Sequence, residues 1–88
     1  MIQATVTISN KLGLHARASA KLTKLAGSFA CEIWMSKGDR RVNAKSLLGI
    51  LSLGITKDTE ILLIANGADE QEAIEGLVAL IQSNFVVE

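Results

Sequence analysis

The amino-acid sequence predicts an α+β fold of two layers, in which an antiparallel sheet carries helices on one face. Three observations lead to this prediction. Short segments alternate polar and apolar residues, two such segments are joined by a tight turn, and longer segments repeat apolar residues at helical spacing. In chain order the segments follow the pattern β-α-β-β-α-β-α. Hairpins mixed with helices are typical of two-layer α+β domains.

Length and composition indicate one domain, residues 1–88, with nearly half of its residues hydrophobic. The single Cys31 excludes an internal disulfide, and one cysteine with one histidine cannot supply a four-ligand zinc site, so we expect no metal. No basic, apolar leader opens the sequence, and no apolar run approaches the roughly 20 residues of a membrane span. We therefore expect a cytoplasmic protein without membrane insertion.

Charge is distributed unevenly along the chain although the net charge is zero. Residues 1–57 hold nine basic and two acidic residues, a net charge of +7, whereas residues 58–88 hold seven acids and no base. With only Phe29, Trp34 and Phe85 as aromatic residues, the chain lacks a stacking platform for nucleic acid. A basic face that meets acidic protein partners is the favoured interpretation.

The first strand is predicted from the alternating apolar residues Ile2, Ala4, Val6 and Ile8. A helix is predicted from Ala16 to near Gly27, because apolar residues recur there at three- and four-residue steps: Leu14, Ala18, Leu22, Leu25 and Phe29. Asn10 and Gly13 predict a turn between the two elements. His15, the only histidine, therefore lies at or beside the N-cap of this helix.

The remaining elements follow from the same rules. We predict strands at 31–36, 40–43 and 60–65, a short helix at 47–53 capped by Ser46, and a last helix that begins in a capping box of Asp69 and Glu72. The apolar face of this last helix is predicted at Ala73, Ile74, Leu77, Val78, Ile81 and Phe85. Trp34 falls on the polar side of its strand and should be partly exposed. Gly49 and Gly54 resemble the spacing of a phosphate-binding P-loop, but Ile55 occupies the position of its lysine, which excludes a nucleotide site.

The position of His15 suits the binding of phosphate. The first amides of a helix lack partners, and the helix dipole is positive there, which attracts anions and disfavours imidazolium. Arg17 adds a guanidinium that can grip phosphate at two points. A nucleophilic imidazole, helix-end amides and an arginine are the parts of a transient phosphohistidine site. Position alone leaves open that His15 is a capping or surface residue.

Two surfaces beside this histidine are candidate docking sites for proteins. Arg17, Lys21 and Lys24 recur on one side of the first helix as a basic ridge, for which a merely solvated face is the alternative. The apolar residues of the short helix cannot all face inward, so some should form an exposed apolar patch. The residues predicted for that patch are Leu47, Leu48, Ile50 and Leu51. A loosely packed cover over the sheet is compatible with the same pattern.

Two segments carry a resemblance to a known family. The motif Gly-Leu-His-Ala-Arg-Ala-Ser at residues 13–19 and the segment at residues 43–55 resemble the histidine-containing phosphocarrier family HPr of the bacterial sugar phosphotransferase system. The likeness extends over the whole chain. Ser46 stands where the family carries its regulatory serine. Ala18 departs from the pattern, since many relatives have proline there, but alanine also suits a first helical turn.

The resemblance implies an open-faced sandwich with three helices and strand order 1-4-2-3. It implies that His15 accepts a phosphoryl group on Nδ1 from phospho-enzyme I and passes it to enzyme IIA of sugar permeases, with Arg17 stabilising the phosphate. It implies a monomeric, stoichiometric carrier rather than an enzyme, without a cofactor. Ser46 would be phosphorylated by the HPr serine kinase/phosphorylase and would then bind a regulator of carbon catabolism. For Ser46 a pure capping role remains the alternative.

Two other functions remain open. The first is a carrier of the nitrogen-related phosphotransferase branch. The Lys45–Ser46 pair and the Leu-Gly-Ile downstream of it favour the sugar branch over this alternative. The second is a regulatory or nucleic-acid-binding module that transfers no phosphate.

Overall fold

The computed structural model describes residues 1–85 and contains the seven predicted elements in the predicted order. They are β1 (Ile2–Thr7), α1 (Ala16–Gly27), β2 (Glu32–Lys37), β3 (Arg40–Asn43), α2 (Leu47–Ser52), β4 (Glu60–Asn66) and α3 (Glu70–Gln82). The predicted fold class is confirmed, and the predicted ends of the first six elements differ from the observed ones by at most one residue. The last helix ends at Gln82, three residues before Phe85, to which its predicted apolar face extended. No helix among residues 1–85 has the length and apolarity needed to span a membrane.

The strands form one antiparallel sheet in the order β1-β4-β2-β3, which confirms the order implied by the resemblance. The central strand β4 pairs with β1 on one side and β2 on the other, so that Ala65 lies opposite both Ile2 and Ile33. β2 and β3 form the predicted hairpin. Because β1 and β4 are neighbours although far apart in sequence, the end of β1 and the residues after α2 meet at one edge, where Ile8 donates its N–H to Thr59 O.

One face of the sheet packs against the three helices. Its inward residues are buried in a single core: Val6, Ile33, Met35, Ile61, Leu63 and Ala65. The helices contribute the buried residues Leu22, Ile50, Leu77 and Ile81 to the same core. Burying one such side chain favours folding by about 1.5–3 kcal/mol.

The opposite face of the sheet carries none of the three helices described within residues 1–85. Trp34 lies there half-buried, opposite Ile64 of β4, which also faces Gln3 of β1. Paired residues on neighbouring strands share a face, so Gln3 and Trp34 cover Ile64 from either side, and Ile64 is buried. The prediction that Trp34 is partly exposed on the polar side of β2 is confirmed.

The capping box predicted at the start of α3 is wrong. Asp69 is the N-cap residue, but its side chain makes no capping hydrogen bond. Its two carboxylate oxygens instead accept hydrogen bonds from the amides of Ala30, at 2.8 Å, and Cys31, at 2.9 Å. Glu70, not Glu72, reaches back to the preceding turn and accepts from the Gly67 amide at 3.0 Å. The local pattern assigns the Asp69 carboxylate to the cap of α3, but in the structure this carboxylate binds the residues that precede β2.

Candidate functional site

The loop before α1 is pressed against the segment that follows α2. Leu14 donates its N–H to Ile55 O at 3.0 Å, and Gly13 adopts a φ of +66°. A Cβ on Gly13 would lie 2.5 Å from Ile55 O, which is too close for any other residue. Glycine is therefore required at position 13 by its backbone conformation and by the close approach.

The imidazole of His15 points at the N-terminus of α1. His15 is the N-cap residue, with φ −72° and ψ 178°, and its Nδ1 accepts a hydrogen bond from the Arg17 amide at 3.3 Å. The predicted position at the helix N-cap is thus confirmed. A nitrogen that accepts a hydrogen bond carries no proton, so this geometry belongs to the tautomer with its proton on Nε2. The ring is only partly buried, and a partner can reach it.

The first turn of α1 presents donors and a positive charge beside Nδ1. The helix ladder begins with the bond from the Ser19 amide to His15 O, at 2.9 Å. Within residues 1–85, the amides of Ala16 and Ala18 contact no acceptor, and the exposed Arg17 forms no ion pair. An anion bound here would meet backbone N–H groups, the positive end of the dipole and a free guanidinium.

Two polar side chains that the sequence did not assign to the site fix the loop before His15. Asn10 donates from Nδ2 to Gly13 O at 2.7 Å, and the buried hydroxyl of Ser19 donates to Leu14 O at 3.1 Å. The other side-chain atom of Asn10, Oδ1, is buried and accepts no hydrogen bond from a described residue, which lowers the stability that the Gly13 contact brings. Both hydrogen bonds involve an irregular loop, and the spacing of apolar residues does not predict side-chain contacts there. In the sequence, only the motif at residues 13–19, which ends at Ser19, indicated that Ser19 belongs to this region.

The short helix α2 begins at Leu47 and is capped by Ser46, as predicted. The hydroxyl of Ser46 accepts a hydrogen bond from the Gly49 amide at 3.1 Å. Leu47, Leu48 and Leu51 are exposed by 39%, 80% and 37%, which confirms their predicted exposure. The prediction that Ile50 belongs to the exposed patch is wrong. Its side chain is 0% exposed, because the helix turns this one apolar position towards the core.

The two ends of α2 are held by basic side chains. At its C-terminal end, Lys37 donates to the carbonyls of Leu53 and Gly54, at 3.2 and 3.4 Å, and Arg40 donates to Ser52 O at 2.7 Å. At the other end, Lys45 donates to Phe29 O, just after α1, at 2.8 Å. Cations at a helix C-terminus satisfy its free carbonyls and its dipole. The C-terminal end of α2 leads to Ile55, which contacts Leu14 of the His15 loop, whereas the Ser46 end lies towards the end of α1.

The basic ridge on α1 is divided by its contacts. Lys21 is half-buried and donates to the backbone carbonyl of Phe85 at 2.8 Å, whereas Arg17 and Lys24 are exposed. Lys21 and Lys24 line an open groove of about 470 Å³ between α1 and α3, together with Leu25, Ser28 and Leu80. Arg17 and Lys24 are thus the members of the ridge whose charges are available to a partner.

Cys31 is the other side chain with nucleophilic chemistry, and it lies apart from His15. Burial, followed by the hydrogen bond and charge of Asp69, raises the pKa of its thiol above the ordinary value. A raised pKa keeps the thiol protonated and therefore unreactive. Among the described residues, no group of three or more His, Cys, Asp and Glu side chains is arranged to hold a metal ion.

The chain matches a family model over residues 2–83, whose description is the phosphorylation site of the PTS HPr component. The chain belongs to the HPr family. It is 51% identical to the phosphocarrier protein HPr of Cupriavidus necator over 85 residues, which cover 97% of this chain and 96% of the relative. The crystal structure of HPr from Thermoanaerobacter tengcongensis superimposes with a TM-score of 0.96 at 46% identity and covers 100% of this chain and 99% of that one. HPr proteins are phosphocarriers of the phosphotransferase system, and the chain is a family member in sequence and in fold.

Related branches of the HPr family also match. The HPr-like protein Crh of Bacillus subtilis is 43% identical over 93% of this chain and 96% of its own length. A crystal structure of Crh, described as a dimer with a swapping domain, matches with a TM-score of 0.77 at 40% identity and covers 99% of this chain and 100% of that one. The phosphocarrier protein NPr of Shewanella violacea is 40% identical over 96% of this chain and 92% of its own length.

Proposed function

We propose that His15 is the residue that carries the phosphoryl group, on Nδ1, from phospho-enzyme I to enzyme IIA domains of sugar permeases. The observation that supports this proposal is the 3.3 Å contact between Nδ1 and the Arg17 amide, which directs the unprotonated nitrogen at the N-terminus of α1. The Nδ1 lone pair is released from the Arg17 amide and attacks the phosphorus, and the bond from phosphorus to the donor breaks with its electron pair leaving on the donor. The released Arg17 N–H can then donate to a phosphoryl oxygen. Because the ring proton lies on Nε2, Nδ1 needs no base beside it.

The surroundings of His15 suit a group that is held only briefly. Amides of the first turn and the Arg17 guanidinium donate to the phosphoryl oxygens, and no metal or buried lysine is required. The ring lies near the surface, so the phosphoryl group remains within reach of the next acceptor. Moderate stabilisation at an open site allows both acceptance and release.

The test is phosphorylation with phosphoenolpyruvate and enzyme I. We expect the wild type to acquire one acid-labile phosphoryl group, and His15→Ala to acquire none. His15→Asn is the matched control, since asparagine keeps a capping oxygen and a folded helix start but cannot form phosphohistidine. Phosphorylation of either variant would contradict the assignment, and a wild type that accepts nothing would favour a regulatory module without phosphotransfer.

Partner docking should involve the exposed face formed by α1 and α2. Arg17 and Lys24 supply positive charge, and Leu47, Leu48 and Leu51 supply an apolar patch beside it. Lys21 stays in this predicted surface, with its amine already bonded to Phe85 O. Such a pairing of charge and apolar area suits acidic enzyme I and enzyme IIA domains. Comparing the rates of phosphoryl transfer to this chain from the enzyme I of the sugar branch and from the enzyme I of the nitrogen-related branch separates these two functions.

We also propose that phosphorylation of Ser46 by the serine kinase/phosphorylase regulates this docking and creates a site for a regulator of carbon catabolism. A phosphate at the start of α2 meets free amides, so the domain should remain folded. Its charge of about −1.5 to −2 would stand beside Leu47, where a partner must desolvate it. Ser46 occupies the end of α2 away from the His15 loop, so the effect acts through the partner rather than through direct contact with His15.

Replacement of Ser46 tests this regulation. Ser46→Asp keeps a capping acceptor for the Gly49 amide and adds a negative charge, so phosphorylation of His15 by enzyme I should slow several-fold. Ser46→Asn is the matched control, because it keeps the cap without the charge and should react as the wild type does. Equal rates for Ser46→Asp and Ser46→Asn would leave Ser46 with a capping role only.

Two further expectations belong to the same proposal. We expect a cytoplasmic protein, where phosphoenolpyruvate and enzyme I are present. We also expect a monomer, in contrast to the Crh dimer. Sedimentation equilibrium across a range of protein concentrations tests the monomer, and a mass of twice 9.4 kDa would contradict it.

A further inference from the structure

We propose that Ser19 is a positioning residue for His15, a role that rests on the proposed function of that histidine. The hydroxyl and the amide of Ser19 hold the two peptide groups on either side of the His15 Cα. Its Oγ donates to Leu14 O at 3.1 Å, and its N–H donates to His15 O at 2.9 Å. One residue thereby fixes both peptide planes, and with them the φ and ψ of the residue that bears the imidazole.

The hydroxyl contact is not the usual bond of a helical serine. Serine and threonine in helices generally donate to the carbonyl three or four residues earlier, as Thr23 does to Ala20 O in the same helix at 3.0 Å. Ser19 reaches back five residues instead, past the N-cap and into the irregular loop. The bond therefore ties the second turn of α1 to the loop rather than reinforcing the helix.

Burial supports the same role. Ser19 is 0% exposed, and among residues 1–85 it is the one polar residue that is buried. Leu14 is buried as well, so its carbonyl loses its hydrogen-bond donor within the protein interior when the hydroxyl is absent. A buried carbonyl without a donor carries a penalty that a small rotation of the Leu14–His15 peptide would relieve. That rotation moves the His15 side chain directly.

Orientation matters because the site depends on one long contact. Nδ1 lies 3.3 Å from the Arg17 amide, near the upper limit for a hydrogen bond, so a small rotation would break it. Nδ1 would then no longer face the amides that receive the phosphoryl oxygens. A displacement of about 1 Å at a reacting group can lower a rate as much as a hundredfold.

The experiment compares Ser19→Ala with Thr23→Ala. Alanine is smaller than serine and a better helix former, so α1 should persist in both variants. Thr23→Ala removes a hydroxyl from the same helix, but its bond to Ala20 lies away from His15. Two quantities are measured: the initial rate of phosphorylation by enzyme I and phosphoenolpyruvate, and the nuclear Overhauser contact between the His15 Cε1 proton and the Arg17 amide proton.

We expect Ser19→Ala to lose the Overhauser contact and to react about tenfold more slowly, while Thr23→Ala keeps both wild-type values. Retention of either value by Ser19→Ala, or an equal loss in Thr23→Ala, would overturn the proposal. Failure of Ser19→Ala to fold would overturn it too, because the hydroxyl would then serve the stability of the whole domain. If the wild type accepts no phosphate, the proposed function fails, and the Overhauser contact alone decides whether Ser19 orients the imidazole.

Discussion

At the scale of single residues, Arg17 contributes two separate groups to the site. Its amide donates to His15 Nδ1, while its guanidinium is exposed and forms no ion pair within the described part of the chain. The amide is present whatever side chain stands at position 17. The guanidinium can therefore be removed without removing the group that orients the imidazole.

Replacement of Arg17 by alanine should slow phosphoryl transfer without preventing it. The variant loses a charge-assisted hydrogen bond, which is worth about 1.5–3 kcal/mol and corresponds to a rate about tenfold lower or more. Rapid-quench measurement of transfer from phospho-enzyme I gives this rate. Arg17→Lys is the control, because it keeps the positive charge but loses the two-point contact of the guanidinium. Its transfer rate should fall between those of the wild type and Arg17→Ala. A wild-type rate for Arg17→Ala would show that the guanidinium is only a surface charge.

At the scale of elements, α2 is too short to be stable alone, and its neighbours define its place. Ser46 caps its start, Lys37 and Arg40 bind the carbonyls of its last turn, and Ile50 anchors it in the core. Leu47, Leu48 and Leu51 remain outside. The helix thus presents three apolar side chains from a fixed backbone, next to the positive charges of α1.

Reversal of the charge at Lys24 tests the electrostatic part of this surface. Lys24→Glu should slow association with enzyme I several-fold at low salt, and the difference should shrink as ionic strength rises, because salt screens exposed charges. Stopped-flow association rates at increasing salt measure both effects. Arg41→Glu makes the same change of charge on β3, whose partner Ser36 lies on the helix-free face, and should have little effect. Equal rates for the two variants would identify Lys24 as a merely solvated residue.

At the scale of the whole molecule, Asp69 joins elements that lie far apart in sequence. The hydrogen bond from the Ala30 amide, followed by those from the thiol and amide of Cys31, lowers the pKa of Asp69 below its ordinary value. These bonds connect the start of α3 to the chain that enters β2. Glu70 adds a second connection through the Gly67 amide and the N-terminus, which also lower its pKa.

The lowered pKa of Asp69 predicts a loss of stability in acid. A carboxyl group with a folded-state pKa below its unfolded value stabilises the fold above the unfolded pKa, near pH 4, and loses this contribution as pH falls towards the folded pKa. Asp69→Asn should therefore lower the unfolding temperature at pH 7 and make it less sensitive to pH below about 4. Asp39→Asn, in the exposed hairpin turn, is the control. An acid dependence equal to that of the wild type would contradict this role of Asp69.

Much of the fold and part of the site follow from local pattern. Alternation and helical spacing predict the strands and the first two helices to within a residue, since each element buries one face or stripe. The turn at Gly13 and the good helix formers after Ala16 place His15 at a helix start, and Ser46 before an apolar run predicts its cap. These features depend on residues close together in sequence, and neighbouring residues are enough to specify them. The motif around His15 also carries the resemblance that implies the strand order.

Tertiary structure decided the contacts between residues that are distant in sequence. Pattern alone could not show that Ile50 faces the core while Leu48 faces outward, because both are apolar and their helix has fewer than two full turns. It could not show that Asp69 leaves its own helix to bind Ala30 and Cys31, or that Lys37 and Arg40 hold the end of α2. Each of these contacts joins residues that are separated in sequence, and only packing of the whole chain determines which groups are within reach of each other.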